Sequence, residues 1–199
     1  MSISTVTVYA ASSQALDAVY IDAAERLGRT LGAAGLSIVY GGGSTGLMGA
    51  MADGAIAAGA RVHGIIPEFL TRVERGHQGL YTLEVVADMH QRKARMLAEG
   101  DAVIALPGGC GTFEELFEAI TLKRLGQFLG PIILINTQGY YDRLLDFLSH
   151  SVREHFMNRA HLDMWQTLEQ PEDVVQTMHE AASWSEREAL ESAAVRPSR

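Results

Sequence analysis

Hydrophobic residues along the chain follow two alternating patterns. Short runs that are apolar at nearly every position predict strands buried in a parallel sheet, over residues 6–9, 36–40, 61–66, 82–86, 101–106 and 131–135, with a short edge strand near 165–168. Between them, apolar residues recur at helical spacing, which predicts helices over 15–34, 47–58, 89–100, from 113, over 140–154 and from 171. This alternation predicts an α/β fold, a single-domain, doubly wound parallel sheet of Rossmann-like type in three layers.

One glycine-rich turn joins the strand at 101–106 to the helix that follows it. Its sequence is Leu106-Pro107-Gly108-Gly109-Cys110-Gly111-Thr112. Glycines let backbone N–H groups approach a ligand closely, and the first turn of a helix leaves four N–H groups unpaired at the positive end of the helix dipole. The turn is therefore a candidate phosphate seat, with Thr112 as the N-cap or a further donor. Taken alone, it could equally be a turn that only reverses the chain.

A second glycine-rich turn, residues 41–49, follows the strand at 36–40. Because parallel strands end at the same edge of a sheet, the two turns can share one ligand. The second turn reads G-G-G-x-x-G, which departs from the G-x-G-x-x-G dinucleotide fingerprint, and no acidic residue follows to bind a ribose hydroxyl. It also lacks the Gly-Lys-Ser/Thr of a P-loop. Nicotinamide binding and nucleoside triphosphate hydrolysis are therefore disfavoured.

Three charged side chains lie in positions that a solvated surface does not explain. At about 100° per residue, Glu115 points away from the apolar stripe of its helix, towards whatever occupies the turn. Arg92 and Lys93 follow Met89 by three and four residues, on the buried face of their helix. Such cations either extend to solvent or meet an anion. His77, in the loop expected over 69–81, is a weaker candidate, and a solvated loop histidine is the favoured interpretation.

Composition narrows the possible functions. A net charge of -8 and a pI near 5.3 argue against general binding to nucleic acid or to an anionic membrane. The single cysteine and the absence of a basic, apolar leader indicate a cytoplasmic protein. The only lysines are Lys93 and Lys123, neither in the setting of a Schiff-base lysine, which disfavours a pyridoxal-phosphate decarboxylase. We expect one domain over 1–184 and a disordered tail over 185–199.

Three motifs together resemble the LOG ("Lonely guy") family of cytokinin riboside 5′-monophosphate phosphoribohydrolases. They are Gly41-Gly42-Gly43-x-x-Gly46-Leu47-Met48-Gly49, Asp88-Met89-His90-Gln91-Arg92-Lys93 and Pro107-Gly108-Gly109-x-Gly111-Thr112-x-x-Glu115. The resemblance implies hydrolysis of the N-glycosidic bond of adenosine 5′-monophosphate (AMP) or its N6-substituted form, without metal or organic cofactor. It implies Arg92 and Glu115 as the catalytic pair. The substrate-binding residues it implies are Gly42, Gly43, Glu68, Lys93, Gly109, Cys110, Gly111, Thr112, Phe113, Glu114 and Thr121.

Chemistry agrees with the resemblance, because an oxocarbenium-like state needs a nearby anion and a base that activates water. Glu115 can serve both purposes, while Arg92 would keep that carboxylate ionised or contact the phosphate. A general acid is not visible, and Glu68 or water could protonate the leaving base. The alternative is a non-catalytic carrier of a nucleotide or phosphorylated cofactor. Relatives often have an aromatic residue at Cys110 and an acid at Arg95.

The resemblance also implies a homodimer. Leu122 is predicted to face away from the main apolar stripe of its helix, with Ala119 beside that position. An apolar side chain directed away from the core suggests a second surface to cover.

Overall fold

The computed structural model describes residues 3–72, 76–182 and 184–192. Within these ranges the strands are β1 (Thr5–Tyr9), β2 (Ser37–Tyr40), β3 (Val62–Pro67), β4 (Thr82–Val86), β5 (Ala102–Ala105), β6 (Ile132–Ile135) and β7 (Gln166–Leu168). The helices are α1 (Ala18–Ala33), α2 (Gly46–Ala57), α3 (Met89–Glu99), α4 (Cys110–Arg124), α5 (Asp142–Arg153), α6 (Val174–Glu180) and α7 (Glu186–Ser192). None of these helices has the length and apolar character needed to cross a bilayer.

The strands form one sheet in the order β4-β3-β2-β1-β5-β6-β7, and every neighbouring pair is parallel. The order of the strands reverses between β1 and β5, so the connections leave in opposite directions on either side of that point. In doubly wound sheets this is where a crevice opens at the carboxyl ends of the strands. The predicted fold class is confirmed, and both glycine-rich turns, which follow β2 and β5, lie at that edge.

The sheet separates two hydrophobic cores, which makes the fold three layers. Alternate residues of each strand point to opposite faces, as the two-residue period of a strand requires. Val8 and Ile104 pack with α1, α2 and α6, whereas Tyr9 and Ala105 pack with α3, α4 and α5. Because both faces are covered, β5 and β6 are apolar at every position, which is the pattern that the sequence shows.

Helix α3 begins after Asp88, the N-cap that its sequence predicts, although the Gln91 side chain bonds to the residue before this cap and so does not complete a capping box. The Asp88 carboxylate accepts a hydrogen bond from the N–H of Gln91 at 2.9 Å, and the Gln91 side chain accepts from the N–H of Ala87 at 3.2 Å. This cap fixes the start of the helix that carries Arg92 and Lys93. The strongest predicted N-terminus therefore lies beside the candidate site.

The end of the chain departs from the prediction of a disordered tail. Residues 186–192 form α7, with Ala189 fully buried beside α4, while residues 193–199 lie outside the described residues. Ser185 and Glu188 supply a capping box, since the Ser185 hydroxyl accepts from the N–H of Glu188 at 3.2 Å and the carboxylate accepts from the N–H of Ser185 at 2.8 Å. That Ser-x-x-Glu signal was present in the sequence.

The loop predicted over 69–81 is partly helical. Residues Glu68–Arg72 form a 3-10 helix after β3, and residues 73–75 lie outside the described residues. After them, Gly76 pairs with Gly43 of the second glycine turn. The described parts of this segment are therefore attached to the sheet edge at both ends.

Candidate active site

A cavity of about 280 Å³ opens at the carboxyl ends of β1 and β5. It lies where the strand order reverses, between the loop after β1, the start of α4 and one face of α3. Its lining residues are Ala10, Ala11, Ser12, Ser13, Met48, Met89, Arg92, Gly109, Gly111, Thr112 and Glu115. Both predicted catalytic residues and three residues of the first glycine turn thus meet in one cavity.

The segment 106–112, which we call the phosphate loop, presents a row of backbone N–H groups to this cavity. Helix α4 begins at Cys110, with Gly109 as its N-cap in extended conformation. The prediction of Thr112 as N-cap is therefore wrong, and its buried side chain lies in the first turn of the helix. Within the described chain, the N–H groups from Gly108 to Thr112 donate to no protein acceptor. Five free donors at a helix N-terminus favour an anion.

Glu115 lies one turn further along α4, with only 6% of its surface exposed. Burial raises the pKa of its carboxyl group from 4.5 to about 7. The positive charges of Arg92 and Lys93 lower this pKa, and the negative charges of Glu114 and Glu118 raise it further. Arg92 was expected to keep this carboxylate ionised or to contact the phosphate; its charge does lower the pKa, but desolvation has the larger effect. Glu115 therefore titrates near neutral pH.

Arg92 reaches the same cavity from α3 and is 7% exposed. Its Nη2 donates to the carbonyl oxygen of Gly41 at 3.3 Å, and its Nη1 contacts the sulfur of Met89 at 3.8 Å. Its Nε–H is buried and has no hydrogen-bond partner among the residues that the structure describes. A Cβ on Gly41 would lie 1.8 Å from Nη2, so any side chain there would displace the guanidinium from this position. The second glycine turn thus contributes to the site by seating Arg92.

Comparison with known proteins identifies the family to which this chain belongs. A family model described as possible lysine decarboxylase matches residues 48–178. The chain is 45% identical over 157 residues to the cytokinin riboside 5′-monophosphate phosphoribohydrolase of Rhodococcoides fascians, covering 78% of this chain and 79% of that protein. It is 41% identical over 184 residues to the corresponding enzyme LOG3 of Arabidopsis thaliana, covering 92% and 86%. The chain belongs to the LOG family.

Solved structures show that the same fold occurs beyond close relatives. The molybdenum cofactor binding protein of Rippkaea orientalis superimposes with a TM-score of 0.69 at 22% identity, over 90% of this chain and 98% of that one. The molybdenum cofactor carrier protein of Chlamydomonas reinhardtii gives a TM-score of 0.69 at 16% identity, over 89% and 97%. At these identities the likeness shows the fold alone.

Lys93, which the LOG resemblance implies for substrate binding, is occupied elsewhere. Its buried ammonium forms ion pairs with Glu114 and, at 3.3 Å, with Glu118. The hydrogen bond that Lys93 donates to Glu114 raises the pKa of Lys93. Neither Lys93 nor Glu114 lines the cavity. Lys93, Glu114 and Glu118 thus form a cluster of paired charges close enough to Glu115 to influence its pKa.

Gly42 and Gly43 hold a neighbouring loop and do not line the cavity. The Gly42 carbonyl accepts from the N–H of His77 at 3.0 Å, and the Gly43 carbonyl accepts from the hydroxyl of Tyr40 at 3.1 Å. His77, expected to be solvated, has a side chain only 11% exposed, and its Nε2 lies 3.0 Å from Asp53. These contacts give His77 a structural position outside the cavity.

The remaining predicted residues are distributed around the edge of the site. Glu68 is exposed after β3, and Thr121 is exposed about 14 Å further along α4 than Thr112, at 1.5 Å per residue. Cys110 is an exposed thiol at the first helical residue, and Phe113 packs between Tyr140 and Tyr141. Within one chain, the fold therefore separates Glu68 and Thr121 from Glu115.

Sequence reasoning did not identify the wall formed by residues 10–13. The Ala11 carbonyl accepts from the N–H groups of Leu47 and Met48 at 2.9 and 3.2 Å, which ties this loop to α2. The signal available was a run of small residues directly after a buried strand at the centre of the sheet.

A larger depression of about 510 Å³ lies beside α7, but Asp163, Glu188 and Glu191 line it and would repel a phosphate. Among the described residues, no group of three or more His, Cys, Asp or Glu side chains is placed to hold a metal ion.

Proposed function

We propose that this chain hydrolyses the N-glycosidic bond of AMP or an N6-substituted AMP, releasing the free base and ribose 5-phosphate. The observation that carries the proposal is a buried carboxylate, Glu115, in the same cavity as a row of free backbone N–H groups. An anion seat alone would suit any phosphorylated ligand. A carboxylate beside it needs a substrate whose reacting bond lies close to its phosphate.

The distance along α4 between the phosphate loop and Glu115 determines how the substrate is placed. The 5′-phosphate binds the N–H groups of the phosphate loop, with Gly109, Gly111 and Thr112 at its surface. Glu115 follows Gly111 by four residues, which is about 6 Å along the helix axis. That separation puts the carboxylate beside the ribose, while the purine extends towards the opening of the cavity.

Glu115 acts on the ribose in its ionised form. Its carboxylate faces the anomeric carbon, stabilises the oxocarbenium-like transition state and takes a proton from the attacking water. Because its pKa is raised to about 7, it is a stronger base than an ordinary glutamate and is still substantially ionised at neutral pH. Base release therefore rises with pH through about 7.

Arg92 serves the phosphate and the carboxylate together. Its unpaired Nε–H is free to donate to a phosphate or ribose oxygen, and a buried guanidinium binds such oxygens strongly. Its charge also offsets the repulsion between the phosphate and Glu115. The leaving base takes its proton from water, since Glu68 is exposed outside the cavity.

Neither available lysine supports decarboxylation through a Schiff base. Lys93 is ion-paired. Lys123 lies in the last turn of α4 and donates to the carbonyl oxygens of Leu129 and Gly130. Burial lowers the pKa of Lys123 to about 8, but its ammonium lies outside the cavity. The site therefore has no lysine placed for the decarboxylation that the family description as a possible lysine decarboxylase suggests.

We also propose a homodimer that pairs through an exposed apolar stripe along α4. Leu122 is half-buried against the core and Ala119 is fully buried, so neither offers a free surface. Phe117 on α4 and Leu125, the C-cap of that helix, are 37% and 45% exposed and, with Thr121 between them, form one stripe at four-residue spacing. A partner subunit covering this stripe would place Thr121 in the interface between the two subunits.

The predicted cellular location is the cytoplasm, which cell fractionation tests.

Chromatography after incubation with AMP and with N6-isopentenyl-AMP tests the enzymatic proposal. The wild-type protein should release free base from at least one of them, and Glu115→Gln should release it at least roughly 10²-fold more slowly. Glu118→Gln, which changes a carboxylate one turn away on the same helix, is the matched control. Nucleotide binding without base release by the wild-type protein would support the carrier alternative and reject the enzyme.

A further inference from the structure

Three successive carbonyl oxygens of the phosphate loop each accept a hydrogen bond. The Leu106 oxygen accepts from the Tyr141 hydroxyl at 2.7 Å, and the Gly108 oxygen accepts from the Tyr140 hydroxyl at 2.6 Å. Between them, the Pro107 oxygen accepts from the N–H of Ala11 at 3.3 Å. Two of the three donors therefore come from a tyrosine pair in the segment between β6 and α5, which contributes nothing else to the cavity.

The orientation of a carbonyl decides the orientation of the next N–H group. In a planar trans peptide the C=O of one residue and the N–H of the next point in opposite directions. Holding the Gly108 oxygen towards Tyr140 therefore turns the N–H of Gly109 towards the other side of the loop, where Gly109 lines the cavity. Because glycine residues flank this peptide, the backbone itself does little to prevent rotation.

We propose that Tyr140 is a positioning residue for phosphate binding. Its hydroxyl holds the Gly108–Gly109 peptide so that an N–H group, and not a carbonyl oxygen, faces the 5′-phosphate. This inference rests on the phosphate placement of the proposed function. A rotated peptide would place a partial negative charge against the phosphate and remove one of the five donors.

The ring of Tyr140 is itself held from three sides, so its hydroxyl has a fixed position. It stacks on Phe113 at 6.5 Å with planes 15° apart, and meets Tyr20 and Tyr141 edge-on at 6.2 and 5.2 Å. Phe113 belongs to the first turn of α4, the helix that carries Glu115. The aromatic cluster therefore fixes the phosphate loop relative to the catalytic carboxylate.

Tyr141 differs from Tyr140 in a way that makes it a comparator. It is fully buried, and its acceptor, the Leu106 oxygen, precedes a proline, which has no N–H to orient. Loss of its hydroxyl should lower stability without reorienting a donor. Tyr20 supplies the matched control, since its ring contacts the same cluster but its hydroxyl bonds to no other described residue.

The test compares Tyr140→Phe, Tyr20→Phe and Tyr141→Phe with the wild-type protein by calorimetric titration with ribose 5-phosphate, together with melting temperature. Tyr140→Phe keeps the ring and removes one hydrogen bond, so affinity for ribose 5-phosphate should fall by roughly three- to tenfold. KM for AMP should rise by a similar factor, and kcat should change less. Tyr20→Phe should match the wild type, and Tyr141→Phe should lower the melting temperature while changing affinity less than about twofold.

Two results would overturn the role of Tyr140. One is wild-type affinity for ribose 5-phosphate in Tyr140→Phe. The other is a loss in Tyr141→Phe as large as in Tyr140→Phe, which would indicate general packing. Because the titration needs no turnover, it is separate from the proposed function: a wild-type protein that releases no base but binds ribose 5-phosphate through Tyr140 rejects the hydrolase and retains the inference.

Discussion

Replacing Glu115 by glutamine should stabilise the protein while abolishing base release, and the gain should depend on pH. In the folded protein, burial raises the pKa of Glu115 from 4.5 to about 7, a difference of roughly two and a half pKa units. At about 1.4 kcal/mol per unit, keeping this side chain buried and ionised costs about 3 kcal/mol of folding free energy. Glutamine has nearly the same shape and no charge, so the cost disappears.

The sign of the pH dependence follows from proton binding. Below pH 4.5 the carboxyl group is protonated in both states, and the substitution should have little effect. Between pH 4.5 and 7 the folded state holds a proton that the unfolded chain releases, so the wild-type protein loses stability as pH rises. Glu115→Gln does not share this loss, and its advantage should reach about 3 kcal/mol above pH 7.

Thermal unfolding at a series of pH values measures this advantage. For a domain of this size, about 3 kcal/mol corresponds to a melting temperature about 6 to 12 °C higher than wild type at pH 8, with convergence near pH 4. Glu118→Gln is the control, because that carboxylate is paired with Lys93 at 3.3 Å and should give no gain that grows with pH. An equal gain at pH 5 and pH 8, or a less stable Glu115→Gln at pH 8, would show that burial does not strain this carboxylate.

Three further substitutions test the surroundings of the site. Gly41→Ala places a methyl group where the Arg92 guanidinium lies, so AMP affinity measured by titration should fall roughly tenfold or more, and an unchanged affinity would mean that Arg92 does not bind the nucleotide. Lys93→Met removes a charge that lowers the pKa of Glu115, so the acidic limb of the pH–rate profile should move to higher pH; a shift to lower pH would refute this coupling. Phe117→Glu should convert the dimer to a species near 21.6 kDa in sedimentation, whereas a wild-type protein already at that mass would reject the dimer.

The sheet was predictable because it is buried on both faces. Runs such as 102–106 and 132–135 are apolar at every position, which half-exposed strands are not, and alternating helices then imply parallel strands. The rule that parallel strands end together predicted that the two glycine turns share one edge, whereas the pairing of Arg92 with Glu115 came from the family resemblance. The order of the strands was not contained in periodicity, since it depends on which connections cross which face.

The errors came from helix ends and from tertiary contacts. Helix α4 starts at Cys110 because Gly109 adopts the extended conformation of an N-cap, so a glycine took the role expected of Thr112. Leu122 turns away from the main stripe, yet it packs against the second core, as does Trp184 of the C-terminal segment. The indole of Trp184 also donates to the Lys123 carbonyl at 2.9 Å. The spacing of apolar residues identifies the face of a helix that packs on the sheet, but it does not show that another segment of the chain covers a second face.

Electrostatics were the least accessible property, because they depend on burial. Sequence spacing placed a carboxylate and a guanidinium near a phosphate seat, and the usual expectation is that opposite charges pair. The fold instead directs the Arg92 Nη2 to the Gly41 carbonyl at 3.3 Å and leaves Glu115 buried with a pKa of about 7. Which of two opposing effects dominates is decided by solvent exclusion, and solvent exclusion is a property of the packed structure.

In the proposed reaction, this unpaired arrangement favours the transition state over the bound substrate. In the free protein, the Glu115 carboxylate is buried without an Arg92 ion pair, and the Arg92 Nε–H is buried without an acceptor. The phosphate supplies the acceptor on binding, in the ground state and the transition state alike. Positive charge opposite Glu115 appears only as the glycosidic bond breaks, so the interaction with this carboxylate strengthens along the reaction coordinate. A buried carboxylate that destabilises the folded protein is, for that reason, also one whose stabilising contact is reserved for the oxocarbenium-like state.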